Sequence, residues 1–130
     1  MMLSNQLQIS LKGLLAVPAY PSDFSAFYGV YDELVKAPYS YGDPETLVVS
    51  ASDISSYDLS MLFFYTNGES SYSYDQAYGK LDEAGTSITV TIPGGMSNFC
   101  GPVSDFVLNI EGNKISGKYA GNIVYKAIKR

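Results

Sequence analysis

Apolar and polar residues alternate strictly near the start of the chain. Leu7, Ile9 and Leu11 fall on one face and Gln6, Gln8, Ser10 and Lys12 on the other, the pattern of a half-buried strand. Gly13 interrupts it, Leu14, Leu15 and Val17 extend the run beyond a bulge, and Pro18 and Pro21 stop regular pairing. From Ser22 the period changes. Phe24, Phe27, Tyr28, Tyr31, Leu34 and Val35 recur at helical spacing, which predicts a short amphipathic helix over residues 23–36, with Ser22 as N-cap, Asp23 in the first turn and Pro38 ending it. Residues 37–45 carry two prolines, Gly42 and two tyrosines and read as an irregular exposed connection.

The remaining two thirds of the chain is strand-like. Leu47, Val48, Val49 and Ala51 form a short strand, and residues 59–66 and 69–80 flank Asn67-Gly68, a pair suited to a two-residue turn with both central φ positive. Closing that turn sets Phe63 opposite Tyr72 and Met61 opposite Tyr74. The next connection is a three-residue loop, Glu83-Ala84-Gly85, because this length aligns Ile88, Val90 and Ile92 with Tyr78 and Tyr74 and puts Gly85 at a left-handed bulge position. After an irregular stretch over residues 93–102, Phe106, Leu108 and Ile110 alternate with polar neighbours. Gly112-Asn113 then makes a tight hairpin that pairs Glu111 with Lys114 and Ile110 with Ile115. The last strand has Ile115, Tyr119, Ile123 and Tyr125 on its inner face, joined there by Gly117 and Gly121, where the strand bends or another backbone approaches.

These elements define an all-β, mainly antiparallel fold: one β-rich domain over residues 1–130, either a β-sandwich or a small β-barrel of about seven strands, with one short helix inserted after the first. The order strand, helical insertion, antiparallel meander is similar to that of small lipid-binding barrels, a likeness of architecture that assigns no functional residue.

Composition narrows the function. Thirteen acidic against eight basic residues and no histidine give a formal charge of −5, which repels phosphate backbones and acidic lipid surfaces and argues against nucleic-acid and membrane partners. Cys100 is the single cysteine, so no internal disulfide or multi-cysteine metal site is expected, and the residue reads as a small buried hydrophobe. Residues 1–12 lack a basic region followed by a long apolar run, so neither a secretory signal nor a membrane-spanning segment is expected there.

Without histidine the commonest general base and metal ligand is missing, and the sequence predicts no catalytic residues, metal or cofactor. The surviving enzymatic alternative is carboxylate chemistry of the glycoside-hydrolase kind, for which Asp43, Glu45, Asp53 and Asp58 are the candidate acids; the plainer reading is that they are solvated turn formers. Pro93-Gly94-Gly95-Met96 lacks the lysine and spacing of a phosphate-binding loop and reads as a plain connection.

The compositional oddity is 12 tyrosines with no tryptophan, and tyrosine joins contact area to a polar tip at modest entropy. Tyr39 and Tyr41 in the proline-containing loop, and Tyr72, Tyr74 and Tyr78 along one strand face, are the candidate binding residues; for the strand set the plainer reading is core closing one end of a sheet. The leading expectation is a non-enzymatic interaction or assembly module that binds a protein partner or a second copy of itself. A small barrel holding an apolar ligand or sugar is the first alternative, and the carboxylate enzyme the second.

Overall fold

The computed structural model describes residues 23–37, 43–66 and 72–130. The main-chain pairing is antiparallel throughout. The barrel strands are β1 (Gly29–Ala37), β2 (Asp43–Ala51), β3 (Leu59–Thr66), β4 (Tyr72–Leu81) and β5 (Ser87–Thr91), followed after a small excursion by β8 (Phe106–Glu111), β9 (Lys114–Tyr119) and β10 (Ile123–Lys129). The excursion holds a one-turn 3-10 helix, Pro93–Gly95, and a two-residue ladder between β6 (Met96–Ser97) and β7 (Gly101–Pro102). Each barrel strand pairs with its neighbours in chain order, and β10 returns to β1, so the eight strands form a closed barrel and not a sandwich. The end of the chain reinforces this seam. The Arg130 N–H donates to the Val30 carbonyl, and its guanidinium meets Asp32 at 3.0 Å.

The helix expected over residues 23–36 is not there. A single 3-10 turn, Ser25–Phe27, precedes β1, and Gly29 to Ala37 is strand. The helical spacing was produced by a bulge. On β10, Lys126 pairs with Val35 and the next residue, Ala127, pairs with Glu33, so Leu34 is an extra residue that points outward, 49% exposed. Beyond it the alternation changes phase, and Tyr31, Glu33 and Lys36 all lie inside.

The register between β3 and β4 also departs from the simple two-residue hairpin. Thr66 pairs with Tyr72 and Phe63 with Asp75, three positions away from the pairing of Phe63 with Tyr72, and Tyr72 and Phe63 belong to opposite faces. The Asn67-Gly68 turn itself lies outside the described residues, as does the strand expected over residues 6–12. Between β4 and β5 the connection is not the expected three-residue loop Glu83-Ala84-Gly85 but a four-residue one, Glu83 to Thr86, closed by the bond from the Asp82 N–H to the Ser87 carbonyl, so that Leu81 faces Ile88 and Gly79 faces Val90. Asp82 fixes that loop, because its Oδ1 accepts from the Thr86 and Ser87 N–H groups and its Oδ2 from the Thr86 hydroxyl.

In both registers β4 turns its small side chains inward, with Asp75, Ala77 and Gly79 on the inner face, and at Gly79 the space is taken by Ile88 and Met61. Phe63 packs edge-on against Tyr119 at 5.0 Å and Tyr125 at 5.6 Å between ring centres, and Tyr119 also meets Phe106 at 4.9 Å. An eight-stranded barrel has room for one such layer of large side chains, so large residues face small ones across it. Leu47, Leu59, Met61, Ile88, Val90 and Leu108 fill the other half and retain no accessible surface.

The Gly112-Asn113 hairpin is observed as read, with Glu111 opposite Lys114, Ile110 opposite Ile115, and Gly112 alone of the two central residues at positive φ, the II′ combination. Ile115, Tyr119, Ile123 and Tyr125 are all buried. They belong to two strands, however, because Ala120 at φ 56 and Gly121 at φ 93 turn the chain and pair Tyr119 with Ile123. Gly117 is a close approach: a Cβ there would lie 3.1 Å from the Val107 carbonyl oxygen.

Gly79 tests the packing directly. A Cβ at that position would stand 2.7 Å from Ile88 Cγ2 and 3.0 Å from Met61 Sδ. Gly79→Ala is therefore expected to lower unfolding free energy by about 1–3 kcal/mol in urea titration, the range for overpacking a filled core; an unchanged midpoint would show that this layer has slack.

Candidate functional site

One end of the barrel interior is polar. Glu33 and Lys36 on β1, Asp75 on β4 and Ser97 on the excursion are the buried polar residues of the described chain, and Tyr119 and Tyr125 reach them from β9 and β10. The Lys36 ammonium lies 3.2 Å from Glu33 Oε2, which also accepts from the Tyr125 hydroxyl at 2.7 Å. Glu33 Oε1 accepts from the Glu45 N–H at 3.1 Å, and Lys36 donates to the Phe64 carbonyl in a longer contact of 3.4 Å.

Those two backbone groups are available because β2 is also bulged. Pro44 pairs with Tyr65 and Leu47 with Phe63, so Glu45 and Thr46 oppose Phe64 without regular pairing. One bulge thus aims an acid and a base inward, and the second releases an N–H and a C=O that complete their bonding. Around the ammonium stand Phe63, Tyr65, Phe99, Tyr119 and Tyr125, with ring centres 5.0 to 5.9 Å away. Desolvated cation–π contacts of this kind reach about 2 kcal/mol.

Asp75 organises the second half. It accepts from the Tyr119 hydroxyl, the Ser97 hydroxyl and the Asn98 N–H, each at 2.5 Å. Ser97 Oγ in turn accepts from the Phe99 and Cys100 N–H groups at 2.9 and 3.1 Å. This turn drives Phe99 into the barrel end, edge-on to Tyr65 at 5.0 Å, and turns Cys100 outward. Cys100 is therefore an exposed thiol and not the buried hydrophobe its isolation suggested.

Burial pushes the Glu33 carboxyl up and the Lys36 amine down; their attraction and the hydrogen bonds oppose both shifts without cancelling them. Burial first, then the facing carboxylates, holds the Tyr119 and Tyr125 hydroxyls well above the ordinary 10.0. Tyr125 and Lys36 are bonded to Glu33 and Tyr119 to Asp75, and the side chains of Glu33 and Lys36 are essentially inaccessible. The arrangement secures the barrel end and presents no open face to a reactant.

The residues singled out from sequence lie elsewhere. Tyr39 and Tyr41 fall outside the described residues. Tyr72 begins β4 opposite Thr66, and its side chain lies outside them too. Tyr74 and Tyr78 do share one strand face, but it is the outer one, away from Met61 and Phe63. Tyr74 is 46% exposed beside Phe64, with ring centres 5.4 Å apart; Tyr78 is covered by Tyr57, stacked at 5.3 Å, and donates to Asp53 Oδ1 at 3.4 Å. Of the loop acids, Asp58 accepts from the Leu81 N–H and meets Lys80, Asp53 accepts from the Tyr78 hydroxyl, and Asp43 and Glu45 belong to β2, the side chain of Asp43 lying outside the described residues. Glu33, Lys36 and Asp75 carried no usable signal, because an acid and a base three residues apart in an amphipathic run imitate a helix surface pair.

The sequence matches no family model, no curated protein and no solved structure.

Lys36→Met leaves Glu33 without its counter-charge and is expected to destabilise the protein by about 3–5 kcal/mol in urea unfolding, whereas adding Glu33→Gln to it recovers most of the loss. Equal losses in the single and double variants would mean that packing, and not charge pairing, accounts for the effect.

Proposed function

We propose that this protein is a non-enzymatic interaction module, a barrel that presents its outer wall and loops to a protein partner or a second copy. The observation that carries this reading is the filled interior. A side chain bordering a void large enough for water keeps some accessible surface, and Leu47, Met61, Phe63, Val90, Leu108 and Tyr119 keep none. A ligand of lipid or sugar size would need Phe99 and the rings behind it to move first. The contact chemistry open to a partner is then on the outside, where Phe64 and Tyr74 form an aromatic pair on the β3–β4 wall. An exposed tyrosine of that kind suits a binding surface because it offers apolar area and a hydroxyl together.

Native mass spectrometry of the full chain tests this reading. A defined oligomer or stoichiometric protein complex is expected, weakened by about 1–3 kcal/mol in Tyr74→Ala if that ring is an anchor. A monomer carrying a co-purified lipid or sugar would replace this reading with the ligand-holding barrel.

A further inference from the structure

The charges of this chain are segregated. Lys114, Lys118, Lys126, Lys129 and Arg130 fall within residues 112–130, where there is no acid, while the other three cationic residues share the rest of the chain with all thirteen acids. Residues 114–119 and 123–129 are β9 and β10, so most of the positive charge stands on one stretch of barrel wall. Lys114 meets Glu111 at 3.3 Å, Arg130 meets Asp32, and Lys129 donates to the Ala26 carbonyl. Lys118 and Lys126 are exposed, and among the described residues no acid lies within ion-pair distance of either. Lys118 pairs with Val124 and Lys126 with Ser116, so the two lysines are diagonal neighbours on the outer face. Like charges so placed repel unless an anion stands between them. Exposed aliphatic groups flank them: Val124 beside Lys118, Val107 on β8 because Gly117 pairs with Leu108, and Leu34 from the bulge beside Lys126.

The complementary surface lies across the barrel. In strand order β3 and β4 stand opposite β9 and β10. The β2–β3 loop is tied to the end of β4, since the Asp58 N–H donates to the Gly79 carbonyl and the Leu81 N–H to Asp58. Asp53 and Ile54 of that loop therefore share the β4 side with Asp82 and Glu83 of the next, and all four are exposed.

We propose that the β9–β10 wall of one copy docks on these two acidic loops of a second copy, Lys118 and Lys126 meeting Asp53 and Glu83 while Val107 and Val124 pack on Ile54. Charge complementarity decides the occupant. A chain of net charge −5 is repelled as a whole by acidic lipid and by phosphate backbones, and two unpaired lysines cannot offset that, whereas the β4 side of a second copy presents acids with an exposed aliphatic between them. The two patches are different surfaces on opposite sides, so the contact repeats head to tail and makes a ring where the rotation closes. This inference rests on the interaction-module reading and names that module's partner and its two surfaces.

Sedimentation velocity of the full chain tests it. The wild type is expected to associate at about 0.05 M salt and to dissociate as salt rises to about 0.5 M, where screening is nearly complete at contact range. Lys118→Glu with Lys126→Glu, and separately Asp53→Lys with Glu83→Lys, are each expected to weaken association by about tenfold or more, the sum of lost attractions and new repulsions at exposed pairs. An equal mixture of the two double variants is expected to restore it, because both contacts between unlike variants again join opposite charges. Should a variant fail to fold, the wild type decides: carbodiimide joins touching amines and carboxylates, and a mixture of ordinary and 15N-labelled chains is expected to give mixed-isotope cross-links from Lys118 or Lys126 to Asp53 or Glu83. Association indifferent to salt, a mixture that does not restore it, or absence of those cross-links would overturn the proposal. Capture of acidic-lipid vesicles through Lys118 and Lys126 by a chain that stays monomeric would overturn it as well. A native mass spectrum with a defined protein complex that the variants leave intact keeps the module reading and moves its site, while a ligand-loaded monomer removes both.

Discussion

The structure depends on enclosing an acid and a base inside a closed barrel, and two bulges make that possible. The extra residue Leu34 in β1 changes the phase of the strand so that Glu33 and Lys36 both point inward. A regular strand would send one of them to solvent, because residues three apart fall on opposite faces. The irregularity in β2 then supplies the Glu45 N–H to the carboxylate and opposes the Phe64 carbonyl that the ammonium reaches. Burying charge in an apolar interior is unfavourable unless each charge is paired and its remaining hydrogen-bonding capacity met. Here β1, β2, β3 and β10 each contribute a partner, so the polar cluster ties together the seam at which the barrel closes.

The aromatic layer follows from the same cluster. Tyr125 bonds Glu33 and Tyr119 bonds Asp75, which fixes both rings where they flank Lys36 and pack on Phe63. β4 packs beside this layer with the small residues Ala77 and Gly79 turned inward, and Ile88 and Met61 fill the space at Gly79. Asp75 also recruits the excursion, since Ser97 and Asn98 both bond it and Phe99 is thereby set into the barrel end.

The parts legible in the sequence were those fixed by local chemistry. The Gly112-Asn113 hairpin could be read with its register because the turn residues, the Glu111 and Lys114 charges and the Ile110 and Ile115 pair all agree. The inward faces of Phe106 and Leu108, and of Ile115, Tyr119, Ile123 and Tyr125, could be read from alternation, as could the antiparallel all-β class. The parts that were not legible depend on the barrel as a whole. Matching large residues with large ones across β3, β4 and β5 is sound for an open sheet with one buried face, yet a closed barrel matches large with small, which moved both registers. The turn at Ala120 was hidden because a non-glycine residue takes the left-handed conformation there. The polar cluster was hidden because a bulge gives an i,i+3 pair the appearance of a helix surface. Tyrosine's abundance did not encode where each ring would lie: Tyr31, Tyr65, Tyr119 and Tyr125 are core, while Tyr74 is the exposed one among the described tyrosine side chains.

The central claim, that two bulges hold Lys36 inside the barrel, is tested most directly by labelling amines in the native protein with an acylating reagent and mapping the sites by mass spectrometry over time. Lys118 and Lys126 are exposed and serve as internal references in high salt, which keeps the chains apart. The account predicts that Lys36 is acylated far more slowly than either and reaches their rate only in denaturant. Labelling of native Lys36 at the rate of Lys118 and Lys126 would contradict it.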